Sequence, residues 1–327
     1  MAGFPTRPVI RIASAVLIVL LIGVFGLKCA INQSVVGSDP RILATDSRPD
    51  ELERHVRFMA EDAFPRNFRN PLKLDQVADY IRDHFLAAGI EAYEQTYEVR
   101  GFTARNIIGR IGPQDGPRIV LGAHYDICGD KPGADDNASG VAGLLEAARL
   151  LASANPKIRI DLVAWSTEEP PFFGTPEMGS AIHADSLKEN QVEVRAMVCL
   201  EMIGYFSDEQ PAPSPFFKLL YPSTGNFILI AGRWQDRDLV GKVKRSFQGI
   251  SGLETESYCG PTGIGTDLSD HRNYWAAGYP AVMVTDTAFI RNRNYHTEQD
   301  TSDSLDYRRM AQAVDGVVNA VLHLAED

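Results

Sequence analysis

Cysteine is scarce in this 327-residue chain, and what there is stands apart. The four cysteines, at 29, 128, 199 and 259, form no Cys-x-x-Cys pair. That argues against a thiolate zinc site and a dithiol redox motif, and a disulfide framework is not expected in a domain of this size. Cys199 lies in an apolar run and reads as a core thiol. Positive charge is also in short supply: 32 basic against 43 acidic residues leave a formal net charge of −11. Phosphate backbones want a basic surface, so nucleic acid is not expected as a partner. No internal repeat and no low-complexity tract stands out. What remains has ordinary globular proportions, 44% hydrophobic and 23% charged, with length for one or two domains and a large core.

The N-terminus departs from that average. Arg7 and Arg11 precede an uncharged run, Ile12–Leu27, that ends at Lys28. It falls short of the ~20 residues of a spanning helix, though flanking Arg and Lys can snorkel. Residues 1–30 are expected to be an uncleaved signal anchor rather than a signal peptide. The best small-x-small pattern, Val24-Phe25-Gly26, is poor, and Lys28 beside Cys29 spoils a lipoprotein-type site. Positive charge on the N-terminal side puts the bulk of the chain on the extracytoplasmic side, anchored to the membrane or secreted. Residues 31–49 read as a polar linker, and 50–327 as the folded domain.

Within that domain the rhythm is first helical, with Val77, Ile81 and Phe85 on one face before a capping Gly89. Two alternating strands follow, IEAYEQTYEVRG and ARNIIGRI. Short, nearly continuous apolar runs then appear at 118–126, 159–166, 195–205, 226–233 and 280–286, the mark of strands buried on both faces. Helical patterns separate several of them, at 139–152, in PEMGSAIHADSL, at 236–248 and at 306–324. The expected fold is α/β: a mixed, mostly parallel central sheet flanked by helices, preceded by the N-terminal hydrophobic helix.

Ligand sites in such sheets form at the carboxyl ends of the strands. Those ends carry His124 and Asp126, then Asp136 before a helix, then Glu168 and Glu169, then Glu201, and finally His296 beyond a loop. Histidine and carboxylate are donors that zinc accepts. His124 and Asp126 are two apart on a strand and point the same way, so Asp126 can hold the other ring nitrogen of a metal-bound His124. Neighbouring Glu168 and Glu169 cannot both point one way on regular backbone. A bend lets one bind metal while the other faces water as a general base. Five ligands exceed one tetrahedral site unless a carboxylate bridges two zincs.

The segments GAHYD, PGADDNASGVA, TEE, EMGS, LEMIGY, SDH..YW..GYPAVMVTD and NYHTEQDTSDSLDY, in this order across about residues 50–325, resemble the di-zinc aminopeptidases of metallopeptidase family twenty-eight, which includes glutaminyl cyclases and glutamate carboxypeptidase II. The resemblance implies two Zn2+ per chain, with one as the alternative. It implies His124, Asp136 and Glu201 around one zinc and Asp136, Glu169 and His296 around the other, with Asp136 as the bridge. Glu168 is then the general base and Asp126 the residue that orients His124. Glu201 departs from the aspartate usual at its position, and its extra methylene bears on how the first site is filled. The function implied is a metallo-exopeptidase acting on a peptide substrate, foremost an aminopeptidase. Alternatives are glutaminyl cyclase or carboxypeptidase-type activity in the same site and, less favoured, a non-catalytic receptor-like ectodomain.

Other residues have plainer readings. His271 is expected to be structural, with Asp270 beside it hydrogen-bonding in the site. His55, His84, His183 and His323 sit in helical patterns as packing or surface residues. Asp135 is expected to meet solvent or cap a helix, and Asn137 and Ser139 are good caps with or without a metal. Arg291 and Arg293 flank the last loop, either to hold a substrate carboxylate or as solvated charges. Substrate preference is expected to depend on loops around 205–225 and 252–268.

Overall fold

A computed structural model describes residues 22–34, 46–249, 252–263 and 265–326. Eight strands form a single sheet: β1 (Glu91–Val99), β2 (Phe102–Ile111), β3 (Arg118–His124), β4 (Arg159–Trp165), β5 (Val194–Leu200), β6 (Phe227–Arg233), β7 (Glu254–Gly260) and β8 (Ala281–Thr285). Their order across the sheet is β1-β2-β4-β3-β5-β8-β6-β7. The centre, β4-β3-β5-β8, is parallel; β2 pairs antiparallel with β1 and β4, and β6 antiparallel with β8. The expected mixed, mostly parallel sheet is present.

The helices are α1 (residues 22–31), α2 (Pro49–Arg57), α3 (Pro71–Ala87), α4 (Gly140–Leu151), α5 (Gly179–Glu189), α6 (Pro215–Leu220), α7 (Arg237–Ser246), α8 (His271–Ala277) and α9 (Tyr307–Glu326). Helices α2, α3, α4, α7 and α9 cover one face and bury Val77, Ile81, Phe85, Val141, Val240 and Val317 in its core. Helices α5 and α8 cover the other, where Trp165, Met197, Tyr274 and Trp275 pack together. Central strands buried on both sides have no reason to alternate, which is why they read as continuous apolar runs.

Chain ends of the elements follow local chemistry. After α3, Gly89 takes φ 79°, its N–H reaches Leu86 O at 2.9 Å and Ile90 N–H reaches Phe85 O at 2.9 Å, closing a Schellman turn. Asp306 caps α9, accepting from Arg308 N–H at 3.1 Å and Arg309 N–H at 3.0 Å.

Three details differ from the sequence expectation. Strand β7, with the polar sequence ETESYCG, falls in a stretch expected to be loop. The run at 195–205 ends as a strand at Leu200, leaving Glu201 on the loop beyond it. The first residues of the polar segment after α1 are docked rather than free: the Asn32 side chain accepts from Ser257 N–H at 3.0 Å and from Lys244 Nζ at 2.8 Å. Most of the run Ile12–Leu27 lies outside the described residues, and no described helix is long and apolar enough to cross a membrane.

Candidate metal centre

Parallel pairing of β3 with β4 and β5 brings their carboxyl ends to one edge. His124 is the last residue of β3, and its ring is buried. Asp136 lies on a kinked turn, Ala134–Ser139, where its φ of −102° and ψ of 93° swing the side chain out of the helical path ahead of α4. Thr167 takes φ 58° immediately before Glu168, and this left-handed residue supplies the bend that lets the two glutamates diverge. Glu201 continues from β5, its N–H on Val284 O at 3.0 Å. His296, with φ 57°, stands on the loop after β8. Backbone in this region costs a non-glycine residue energy and recurs where a structure holds a side chain for function.

The donors converge as two groups that share one carboxylate. His124 Nε2 lies 3.4 Å from Asp136 Oδ1 and 3.5 Å from Glu201 Oε2. His296 Nε2 lies 3.0 Å from Asp136 Oδ2 and 3.3 Å from Glu169 Oε1. The two oxygens of Asp136 therefore face different histidines. Glu168 Oε2 stands 3.9 Å from His124 Nε2, nearest the first group. Six carboxylates here are buried (Asp126, Asp136, Glu168, Glu169, Glu201 and Asp270).

These residues fit bound zinc. His124 is buried, yet neither ring nitrogen has a hydrogen-bond partner, and its Nε2 faces oxygens at distances too long for a good hydrogen bond. Donors about 2.0–2.1 Å from one tetrahedral ion sit roughly 3.3–3.4 Å from each other, the spacing found here. Charge points the same way. Burial raises Glu168 well above the ordinary carboxylate range, raises Glu169 to about 8 and Asp270 to about 7, with neighbouring acids adding to the effect. For His296 burial works against protonation, but Asp136, Cys128 and Glu169 outweigh it and lift the imidazole to about 12. Groups so arranged want a cation among them.

The supporting shell explains how the donors are held. Asp126 Oδ1 accepts from Glu168 N–H at 3.0 Å and Oδ2 from Glu169 N–H at 3.1 Å, while Oδ1 lies 3.4 Å from His124 Nδ1. It thus clamps the glutamate turn together and places a carboxylate beside the histidine ring. Ser269 donates to Glu201 Oε2 at 2.6 Å, fixing the longer side chain that stands where aspartate was expected. Asp300, a residue sequence reasoning did not single out, accepts from Asp135 N–H at 2.9 Å and Asp136 N–H at 3.1 Å. Arg66 was missed as well. It is fully buried and donates to Tyr125 O at 2.9 Å, Met59 O at 3.0 Å, Pro132 O at 2.8 Å and Gly133 O at 2.6 Å.

Several secondary readings change. Asp135 neither meets solvent nor caps a helix; it is buried and accepts from Gly204 N–H at 3.0 Å and Asn292 Nδ2 at 2.8 Å, tying three loops together. Asn137 caps α4 by accepting from Gly140 N–H at 3.1 Å, and a Cβ at Gly140 would collide with that same amide oxygen. Ser139 does not cap; its hydroxyl donates to Asp135 O at 2.7 Å and accepts from Ile203 N–H at 3.0 Å. Arg291 is not a solvated charge: it is buried, donates to Gln210 Oε1 at 2.7 Å and stacks on Phe227. Arg293 is exposed. His271 meets Thr266 O at 2.8 Å and packs edge-on against Trp275, a structural placement. His55 and His183 are buried against Tyr80 and Tyr274.

The same architecture occurs elsewhere. The structure overlays that of the LapA aminopeptidase of Legionella pneumophila with a TM-score of 0.70, at 22% identity over 86% of this chain and 72% of that one. It overlays the glutaminyl cyclase of Fimbriiglobus ruber with a TM-score of 0.67, at 20% identity over 88% and 99%. At these identities the likeness shows the fold. In sequence, the chain is 28% identical to Leucine aminopeptidase 1 of Sclerotinia sclerotiorum over 77% of its own length and 63% of that protein's. It is 45% identical to the Uncharacterized protein YfbL of Escherichia coli (strain K12) over 83% of its length and 86% of that protein's. Residues 106–321, from β2 into α9 and including every donor described above, match the sequence pattern of Peptidase family M28, and the chain belongs to that family.

Proposed function

We propose that this protein is a zinc-dependent exopeptidase, an aminopeptidase that releases N-terminal residues from peptides. The observation that carries the reading is Asp136, whose two oxygens face His124 and His296 separately, as a carboxylate shared by two metal positions would. His124, Asp136 and Glu201 would hold one zinc, and Asp136, Glu169 and His296 the other. Bound there, zinc supplies Lewis acidity, polarising a peptide carbonyl and making water easier to deprotonate.

The protein's own groups do the rest. Glu168 is buried and raised, suited to take a proton from water and return it to the leaving amine. Asp126 keeps His124 in one orientation, and Ser269 keeps Glu201 in place. An apolar pocket of about 70 Å³, lined by Phe217, Tyr221, Phe227, Leu229, Tyr258 and Ile290, adjoins the loop that carries His296. It favours peptides with an apolar residue at the end being trimmed. The N-terminal run, with Arg7 and Arg11 before it, supports membrane anchoring and an extracytoplasmic catalytic domain. A non-catalytic ectodomain is disfavoured, because buried acids without a cation are costly to keep.

A peptide library digested with zinc present and read by mass spectrometry tests the reading. Stepwise loss of N-terminal residues, apolar ones fastest, is expected. Trimming from the other end, loss of ammonia from N-terminal glutamine without cleavage, or no reaction would overturn it.

A further inference from the structure

We propose that Cys128 is a fourth protein ligand of the metal position at Glu169 and His296. The proposal rests on the reading of this site as a zinc centre. Cys128 lies two residues after Asp126, on the turn that carries the chain away from β3. Its Sγ, a carboxylate oxygen of Glu169 and a ring nitrogen of His296 all lie within 4.8 Å of one another. The thiol is partly accessible, whereas Cys199 and Cys259 are buried in the core. A sulfur about 2.3 Å and a nitrogen or oxygen about 2.0–2.1 Å from one tetrahedral ion sit roughly 3.5 Å apart, within the 4.8 Å that bounds this group.

Two consequences follow from the chemistry of the donors. The second position has four protein donors (Cys128, Asp136, Glu169 and His296), and the first has three, His124, Asp136 and Glu201. Catalytic zinc sites keep a place open and structural ones are closed, so the open place belongs to the first position. A thiolate also biases the second position toward zinc and against hard ions such as magnesium and manganese, which carboxylates alone would admit.

The full-length chain loaded with cobalt(II) is the test. Thiolate bound to cobalt adds a charge-transfer absorption in the near ultraviolet, which is expected in the wild type and in C29S but absent in C128S. Zinc should shield Cys128 from iodoacetamide in the wild type, as mapped by mass spectrometry, a result that needs no variant. C128S should bind the second zinc at least about tenfold more weakly, with the first unchanged. Two bound metals without the absorption, or equal alkylation of Cys128 with and without zinc, would overturn the proposal and leave the zinc reading standing. A chain that takes up no metal would overturn both.

Discussion

Replacing Asp126 with asparagine removes one carboxylate oxygen from a residue that makes three contacts. The two oxygens accept the amides of Glu168 at 3.0 Å and Glu169 at 3.1 Å, and one stands 3.4 Å from His124 Nδ1. In D126N one of those amides meets a second donor, and the histidine loses the negative charge that raises its strength as a ligand. Hydrogen bonds to a charged group contribute about 1.5–3 kcal/mol each, and an unsatisfied buried amide costs about 1–3 kcal/mol. Against this, removing one of six buried carboxylates relieves repulsion in the metal-free chain. The two effects oppose each other in the stability of the empty protein, so zinc affinity is the quantity that discriminates. Groups that orient a metal-bound histidine are worth a factor of about 10–100 in affinity, or roughly 1.4–2.7 kcal/mol. Competition with a coloured chelator should show that loss for the zinc held by His124. A folded D126N with wild-type zinc affinity would show that Asp126 does not support that ligand.

Other consequences can be checked alongside it. E168Q should retain zinc and lower kcat by about a hundredfold to ten-thousandfold, measured on any peptide the wild type trims; unchanged turnover would assign the base elsewhere. Arg66→Met leaves four carbonyls, three of them buried, without their donor and should cost more than about 3 kcal/mol in urea unfolding. Zinc at a thousandfold excess over its Kd should stabilise the fold by about 4 kcal/mol, seen as a fall in Tm when a chelator is added. His183 is held neutral, burial lowering it from 6.5 to about 4. The unfolded chain therefore binds its proton first. Stability from this group is complete above pH 6.5 and is lost toward pH 4, at about 1.4 kcal/mol per pH unit. H183Q should flatten the acid side of the urea-midpoint profile by that amount.

Much of the site was legible in the sequence because several donors stand where an apolar run stops. His124, Glu168, Glu169 and Glu201 are read off strand ends, and the rules of parallel sheets bring those ends together. The choice of Asp136 over Asp135 came from the family resemblance. Geometry adds the reason: the kink turns Asp136 toward both histidines and leaves Asp135 to bond Gly204 and Asn292. Strand β7 was not legible, since ETESYCG carries too little apolar character to declare itself before it pairs with β6. Arg66, Asp300 and Cys128 were hidden for a different reason. Their roles depend on contacts formed between distant parts of the chain, and no local pattern marks an arginine that will be buried against backbone carbonyls. Glu201 departs from the aspartate usual at its position, and a hydrogen bond from Ser269 holds its longer side chain, a partner that no local pattern marks.

We propose above that two metal positions share Asp136. A crystal of the zinc-loaded protein, with anomalous scattering recorded on both sides of the zinc absorption edge, tests it directly. Two zinc peaks are expected, one among His124, Asp136 and Glu201 and one among Asp136, Glu169 and His296. A single peak that leaves one oxygen of Asp136 without metal, or zinc bound away from these residues, would contradict it.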